Sequence, residues 1–204
     1  MGNELQSAVR IGRTRHEGKV LLETSELVFR GATHRAKILF SEIESAEVVD
    51  GELRVKTKDG ETVFEIGRTA AEKWREKILH PKTRIEKLAV KLGTRVQLVG
   101  PAEPAFVKEL KCAGAKMTNG KTAAPAELIF VSVETKNGLS DVAKIARNME
   151  GAAVLWMVYP KAKREITEGD VIGAGRKAGL KDVKVVGFST THTALKFVIP
   201  VAKR

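Results

Sequence analysis

Four residues stand where two apolar runs end, and their chemistry suits a small ligand. Gly100 closes the run Arg95-Val-Gln-Leu-Val-Gly100, with Glu103 just beyond it, while Tyr159 and Lys161 flank Pro160 at the end of the run 152–159. Glycine lets a ligand approach the backbone closely. Tyr159 offers a hydroxyl donor and a ring to stack on, Lys161 offers a cation to an anion, and Glu103 supplies a carboxylate. In open α/β sheets, ligands sit beyond the C-terminal ends of the strands, which is where these four fall. A third strand end, Val133-Glu134-Thr135-Lys136, belongs to the same set.

Other chemistry is poorly represented. His16, His34, His80 and His192 are scattered and form no metal-ligand spacing, so no metal site is expected. His192, within Ser189-Thr-Thr-His-Thr193, is a potential acid–base residue with no nameable partner. The single cysteine, Cys112, excludes an intramolecular disulfide and reads as a buried, inert thiol. Neither a nucleophile elbow nor a phosphate-binding P-loop is present. Gly173-Ala-Gly175-Arg-Lys-Ala-Gly179 imitates a dinucleotide fingerprint, but it has one residue too many and lies in a late helix. No standard catalytic set emerges, so no catalytic residue is assigned.

Bulk numbers bound the partners. The 204 residues carry 36 Lys/Arg and 25 Asp/Glu, a net charge of +11. Residues 1–90 are net +2 and residues 91–204 net +9, so the second half alone attracts polyanions. Aromatic residues make up only 5% of the chain and mostly sit in apolar runs, which disfavours stacking on single-stranded nucleic acid. The longest apolar run, 152–159, is far short of the about 20 residues that span a bilayer. The first residues show no apolar segment of signal-peptide type, and the expected location is cytoplasmic.

The elements that must position these residues fall into two groups. From 8 to 67 apolar residues alternate with polar ones through about seven short runs, and Asp50-Gly51 and Asp59-Gly60 mark tight hairpins. A helix follows, with Trp74 and Ile78 on one face and Thr69…Glu72 spaced as a capping box. His80-Pro81 stops it. Seven strands and a C-terminal helix resemble the pleckstrin-homology-like fold, including its GRAM-type relatives. That resemblance implies a headgroup, phosphopeptide or protein partner. It also implies an anion site on the first interstrand loop, here Arg13, Arg15 and Lys19. Arginine forks suit phosphate oxygens.

Residues 81–94 read as a linker, making the domains 1–80 and 95–204. After it the pattern alternates between apolar strands and helices: strands at 95–100, 127–133 and 152–159, helices at 104–115, 139–149 and 168–179. Two last strands, 183–188 and 195–201, flank Ser189–Thr193 as an antiparallel pair. The expectation is a mainly parallel, Rossmann-like α/β domain. Lys91-Leu92-Gly93, Gly100-Pro101, the Glu127–Val131 strand, Leu155–Lys161, Ala178–Lys184 and Leu195-Lys196-Phe197 keep the order seen in the bacterial domain-of-unknown-function family 3052. Residues 88–204 resemble that family, except that Ser189–Thr193 replaces its acidic-aromatic Trp-Ser stretch. The resemblance implies a fold and no activity.

The leading functional expectation is a non-catalytic binding or scaffold protein that docks a protein or anionic partner and needs no cofactor. The alternative is a methyltransferase-like or nucleotide-binding enzyme using the strand-end residues, with a nucleotide or S-adenosylmethionine as cofactor. A third reading is weak, sequence-independent nucleic-acid binding by the basic half.

Overall fold

The computed structural model describes residues 3–118, 125–161 and 165–201, and the chain divides into two compact units, Met1–Lys82 and Thr83–Arg204. In the first, β1 (Asn3–Ile11), β2 (Thr14–Leu22), β3 (Glu26–Gly31), β4 (Arg35–Leu39), β5 (Ile43–Val49), β6 (Glu52–Thr57) and β7 (Gly60–Phe64) precede helix α1 (Arg68–Leu79). All pairings are antiparallel, in the order β4-β3-β2-β1-β7-β6-β5. The last strand therefore returns beside the first, with Val9 opposite Phe64. Alternation sends Val9, Val20, Leu27, Phe29, Leu53, Val55 and Phe64 to one core, and α1 lays Ala71, Trp74 and Ile78 on it. The Asp50-Gly51 hairpin has positive φ at both residues, as a two-residue turn of this type requires.

The capping box expected at Thr69 and Glu72 does not form. The helix starts one residue earlier, at Arg68, so Thr69 lies inside the first turn and Gly67 takes the cap position without a side-chain acceptor.

The second unit opens with a single helical turn, α2 (Arg84–Lys87), within the stretch read as a linker; Leu88 and Val90, just after it, are buried. Then come β8 (Arg95–Val99), α3 (Pro104–Cys112), β9 (Lys116–Thr118), β10 (Leu128–Ser132), α4 (Val142–Arg147), β11 (Val154–Pro160), α5 (Glu168–Lys177), β12 (Lys181–Gly187) and β13 (His192–Val198). The helix expected over 139–149 is shorter, because a 3-10 segment, Lys136–Asp141, precedes α4.

The second sheet is not the mainly parallel α/β sheet that the pattern predicts. The chain is mostly β, and its second sheet is mixed, in the order β12-β13-β11-β10-β8-β9. β9, β8, β10 and β11 run parallel, whereas β13 is antiparallel to both neighbours. The cause is the short turn between β12 and β13. Strands joined so tightly can pair only antiparallel, and β13 then inserts against β11, with His192 opposite Pro160. This delivers residues 189–192 to the same end of the sheet as the C-termini of β10 and β11.

Both faces of this sheet are covered. Ile129, Val131, Leu155, Met157 and Phe197 face α4 and α5, while Phe130, Trp156, Val158 and Ala194 face Phe106 and Leu110 of α3. Burial on both faces explains the continuous apolar runs. Cys112 is exposed, not buried. It lies two residues past Leu110, about 200° round the helix from the buried Phe106–Leu110 face.

Helix α5 begins with a true capping box. The Thr167 hydroxyl accepts from the Asp170 amide, and Asp170 Oδ2 accepts from the Thr167 amide at 2.9 Å and its hydroxyl at 2.8 Å. These bonds, with Lys136 beside them, hold the Asp170 carboxyl down at about 2, against an ordinary value of 3.8. A depressed carboxyl stabilises the fold above its unfolded-state value, and that contribution disappears as pH falls through the folded-state one. The stability gap between the native chain and Asp170→Asn should therefore be constant above about pH 5 and close between about pH 4 and 2. Urea unfolding across that range checks it; a gap independent of pH contradicts it.

Candidate active site at the strand ends

A cavity of about 360 Å3 opens beyond the C-terminal ends of β8, β10 and β11. Its apolar wall comes from Leu98, Val158, Phe106, Phe130 and Phe188. Phe106 meets Phe130 and Phe188 edge-on, at centroid distances of 5.0 and 4.8 Å. Gly100 turns the chain out of β8 at φ +81°, and a Cβ there would lie 3.2 Å from the Ser132 carbonyl. Glycine satisfies both the dihedral and the approach.

Arg84 holds this wall from behind. Its Nε and Nη2 pair with the two oxygens of Glu109 at 2.9 and 2.8 Å. Its Nη1 donates to Glu103 at 2.9 Å and to the Phe188 carbonyl at 3.2 Å. The guanidinium also lies over the Phe106 and Phe188 rings, 5.1 and 4.8 Å from their centroids. Burial opposes its charge, but the bonds to Glu109 and Glu103 outweigh that and raise its pKa. One side chain thus ties together three cavity residues: Glu103, Phe106 and Phe188.

The mouth is polar. His192 Nε2 lies 3.0 Å from Glu134 Oε1, and His192 Nδ1 lies 2.8 Å from Thr191 Oγ1. Ser189 Oγ accepts from the amides of Thr191 and His192 and lies 3.3 Å from Thr191 Oγ1. A carboxylate only accepts, so in the neutral imidazole the His192 Nε2 proton points to Glu134 and Nδ1 accepts the Thr191 hydroxyl proton.

The four strand-end residues separate. Gly100 and Glu103 line the cavity; Tyr159 and Lys161 do not. Along β11, Val158 faces the cavity, so Tyr159 faces the opposite core, buried, with its hydroxyl donating to Glu168 Oε2 at 3.1 Å. Burial first, and then the Glu168 charge, push the Tyr159 hydroxyl pKa up. Lys161 clamps the hairpin turn instead: its Nζ donates to the Ser189 carbonyl at 2.7 Å and its amide to the Thr191 carbonyl at 2.7 Å. The pairing of Glu134 with His192 spans 58 residues of sequence. Both residues stand out in the sequence, but only the insertion of β13 beside β11 brings them together.

In the first unit, Arg13 lies exposed in the turn between β1 and β2. Arg15 pairs with Glu65 and Glu17, both at 2.9 Å, and Lys19 with Glu4 at 2.7 Å. The bonds to Glu65 and then Glu17 raise the Arg15 pKa. Two of the three expected anion ligands therefore already face carboxylates of their own unit. Among the described residues no helix is long and apolar enough to cross a membrane.

No protein-family model matches the chain, and no curated protein matches it. Among solved structures it is similar to a SAM-dependent methyltransferase from Aquifex aeolicus, at 15% identity over 57% of this chain and 87% of that one, with a TM-score of 0.46. A TehB-like SAM-dependent methyltransferase from Corynebacterium glutamicum shares 12% identity over 65% of this chain and 97% of that one, with a TM-score of 0.38. The N-terminal PH domain of human ARAP2 shares 15% identity over 50% of this chain and 92% of that one, with a TM-score of 0.34. At these identities and overlaps the likenesses establish neither a shared activity nor a shared ligand.

Proposed function

We propose that the second unit binds a small, flat, largely apolar molecule, neutral or cationic, in the strand-end cavity. The observation that carries this reading is the lining: three phenylalanines form the wall, Glu103 and Glu134 stand at the edge, and no lysine or arginine is among the described lining residues. Apolar pockets with a few convergent polar groups are the usual form of a small-molecule site. The nearest described cations are already engaged: Arg84 behind the wall with Glu103 and Glu109, and Lys161 with the turn carbonyls.

Of the two cofactors considered, a nucleotide diphosphate fits poorly. Pro101 and Pro104 lack amide hydrogens in the turn that would cradle phosphate, and Glu103 places a carboxylate at the start of α3. S-adenosylmethionine carries no phosphate and meets neither obstacle, so a methyl-transferring enzyme is the second reading, the cofactor supplying the methyl group.

Thermal unfolding of the full chain, with S-adenosylmethionine, benzylamine, 4-nitrophenol, benzoate or NAD added, tests the reading. A ligand at a hundredfold its Kd adds about 2.7 kcal/mol to the folded state. We expect a saturable rise in Tm with a cationic or neutral compound and none with benzoate or NAD. Stabilisation by the anions alone would overturn it.

A further inference from the structure

The polar mouth is more than a binding edge. Both ring nitrogens of His192 are engaged, and the bonds run in one direction. Ser189 Oγ already accepts two amide hydrogens, so its hydroxyl hydrogen is disposed to be donated onward, 3.3 Å from Thr191 Oγ1. Thr191 donates to His192 Nδ1, and His192 Nε2 donates to Glu134. In this arrangement Thr191 Oγ1 keeps a lone pair for a proton arriving from the cavity, and its own proton already points at a base. We propose that Thr191, His192 and Glu134 form a proton relay that ionises an acidic O–H on a planar, phenol-like ligand held against Phe106, Phe130 and Phe188. This deepens the small-molecule reading above and rests on it.

The step conserves atoms and charge. The ligand O–H bond breaks as its proton joins Thr191 Oγ1; the former Thr191 proton moves to His192 Nδ1. The ligand becomes an anion and the imidazole a cation, with no change in oxidation state and none in the net charge of the cavity. The Glu134 carboxylate, bonded to Nε2, stabilises the imidazolium, the role an acidic partner of histidine plays in hydroxyl activation. Among the described residues, the charged groups around the ring come from three elements. Glu134 lies past the end of β10, Lys161 follows β11 and is bound to the turn carbonyls, and Glu103 precedes α3 and is paired with Arg84. Lys161 fixes the turn that carries Ser189 and Thr191, so the relay geometry is built into the hairpin and does not depend on the ligand.

The probe is 4-nitrophenol, whose phenolate absorbs visible light and whose phenol does not. Binding to the full chain is measured by equilibrium dialysis, and ionisation of the bound fraction by absorbance, at a pH where the free compound is mostly protonated. Because the proton passes to His192 and is not released to solvent, bound 4-nitrophenol should show a phenolate band at that pH, where the free compound shows little. Thr191→Val and His192→Gln should bind it comparably and lose the phenolate band, while Thr191→Ser should restore it. Binding by the native chain without ionisation overturns the relay and leaves the binding reading standing. Ionisation that persists in both variants overturns it as well. Absence of 4-nitrophenol binding also overturns it, and the wider ligand set then decides the binding reading separately. The ligand-free protein gives an independent check by nitrogen-15 NMR of His192: a proton on Nε2 agrees with the relay, and a proton on Nδ1 contradicts it.

Discussion

Replacing Arg84 with methionine should destabilise the second unit by about 2 kcal/mol and remove ligand-induced stabilisation with it. The Arg84 side chain is 14% exposed and joins Glu103, Glu109 and the Phe188 carbonyl. Breaking a fully buried pair costs about 3–5 kcal/mol, but Glu103 and Glu109 are each about 40% exposed and can rehydrate, which lowers the figure. Methionine keeps part of the packing against Phe106 and Phe188 while removing the fork and the charge. Both rings then lose the guanidinium that lies over them. Arg84→Lys keeps the charge without the bidentate geometry and should fall between the two. Urea unfolding followed at Trp156, in a Trp74→Phe background so that only the second unit reports, measures the change. A shift below about 0.5 kcal/mol, the range of ordinary surface substitutions, would show that Arg84 does not brace the wall.

Two glycines of one helix should respond to alanine with opposite signs. A Cβ on Gly175 would lie 2.7 Å from Cζ and 2.5 Å from Cδ1 of the Phe197 ring, which is fully buried. Phe197 cannot swing away without disturbing β13, so overpacking of about 1–3 kcal/mol or more competes with a helix-propensity gain of about 1 kcal/mol. Gly175→Ala should therefore be destabilising by about 2 kcal/mol, and because β13 carries His192 at its start, it should also weaken binding in the cavity. A Cβ on Gly173 meets nothing within 4 Å. Gly173→Ala should stabilise the chain by about 0.4–1 kcal/mol through the lower entropy of its unfolded state. The same unfolding measurement reads both; equal signs would contradict the packing of α5 on β13.

The glycine pattern shows how far the sequence could be read. Once Gly173, Gly175 and Gly179 are placed in a late helix and not in a dinucleotide loop, close packing is the natural use for each of them. Only Gly175 is used so; Gly179, at φ +80°, ends the helix, and Gly173 faces open space. Helical periodicity places residues on a face but does not say which position meets a neighbour. In the first unit, strand alternation and the two Asp-Gly turns were enough to find all seven strands, because local turn chemistry governs hairpins.

The second sheet depended on non-local pairing. The short turn at Ser189–Thr193 marked β12 and β13 as an antiparallel pair, but continuous apolar runs report burial on both faces and not strand order, so the insertion of β13 between β11 and β12 was not legible. The candidate site was half legible for the same reason. Gly100 and Glu103 follow one strand end directly, whereas choosing between Val158 and Tyr159 required knowing which face of β11 the cavity occupies. Lys161 lies at the correct end of the sheet, but the carbonyls of the hairpin turn take up its ammonium.

The most direct test of ligand binding at the strand ends is a methyl NMR titration of the full chain with benzylamine, 4-nitrophenol and benzoate, three small rings that differ in charge. Leu98, Val99 and Val158 line the cavity and supply the reporters. Saturable shifts at these methyls are expected with benzylamine or 4-nitrophenol, and none with benzoate. Shifts confined to methyls elsewhere, or benzoate saturating these sites as well as the other two, would contradict it.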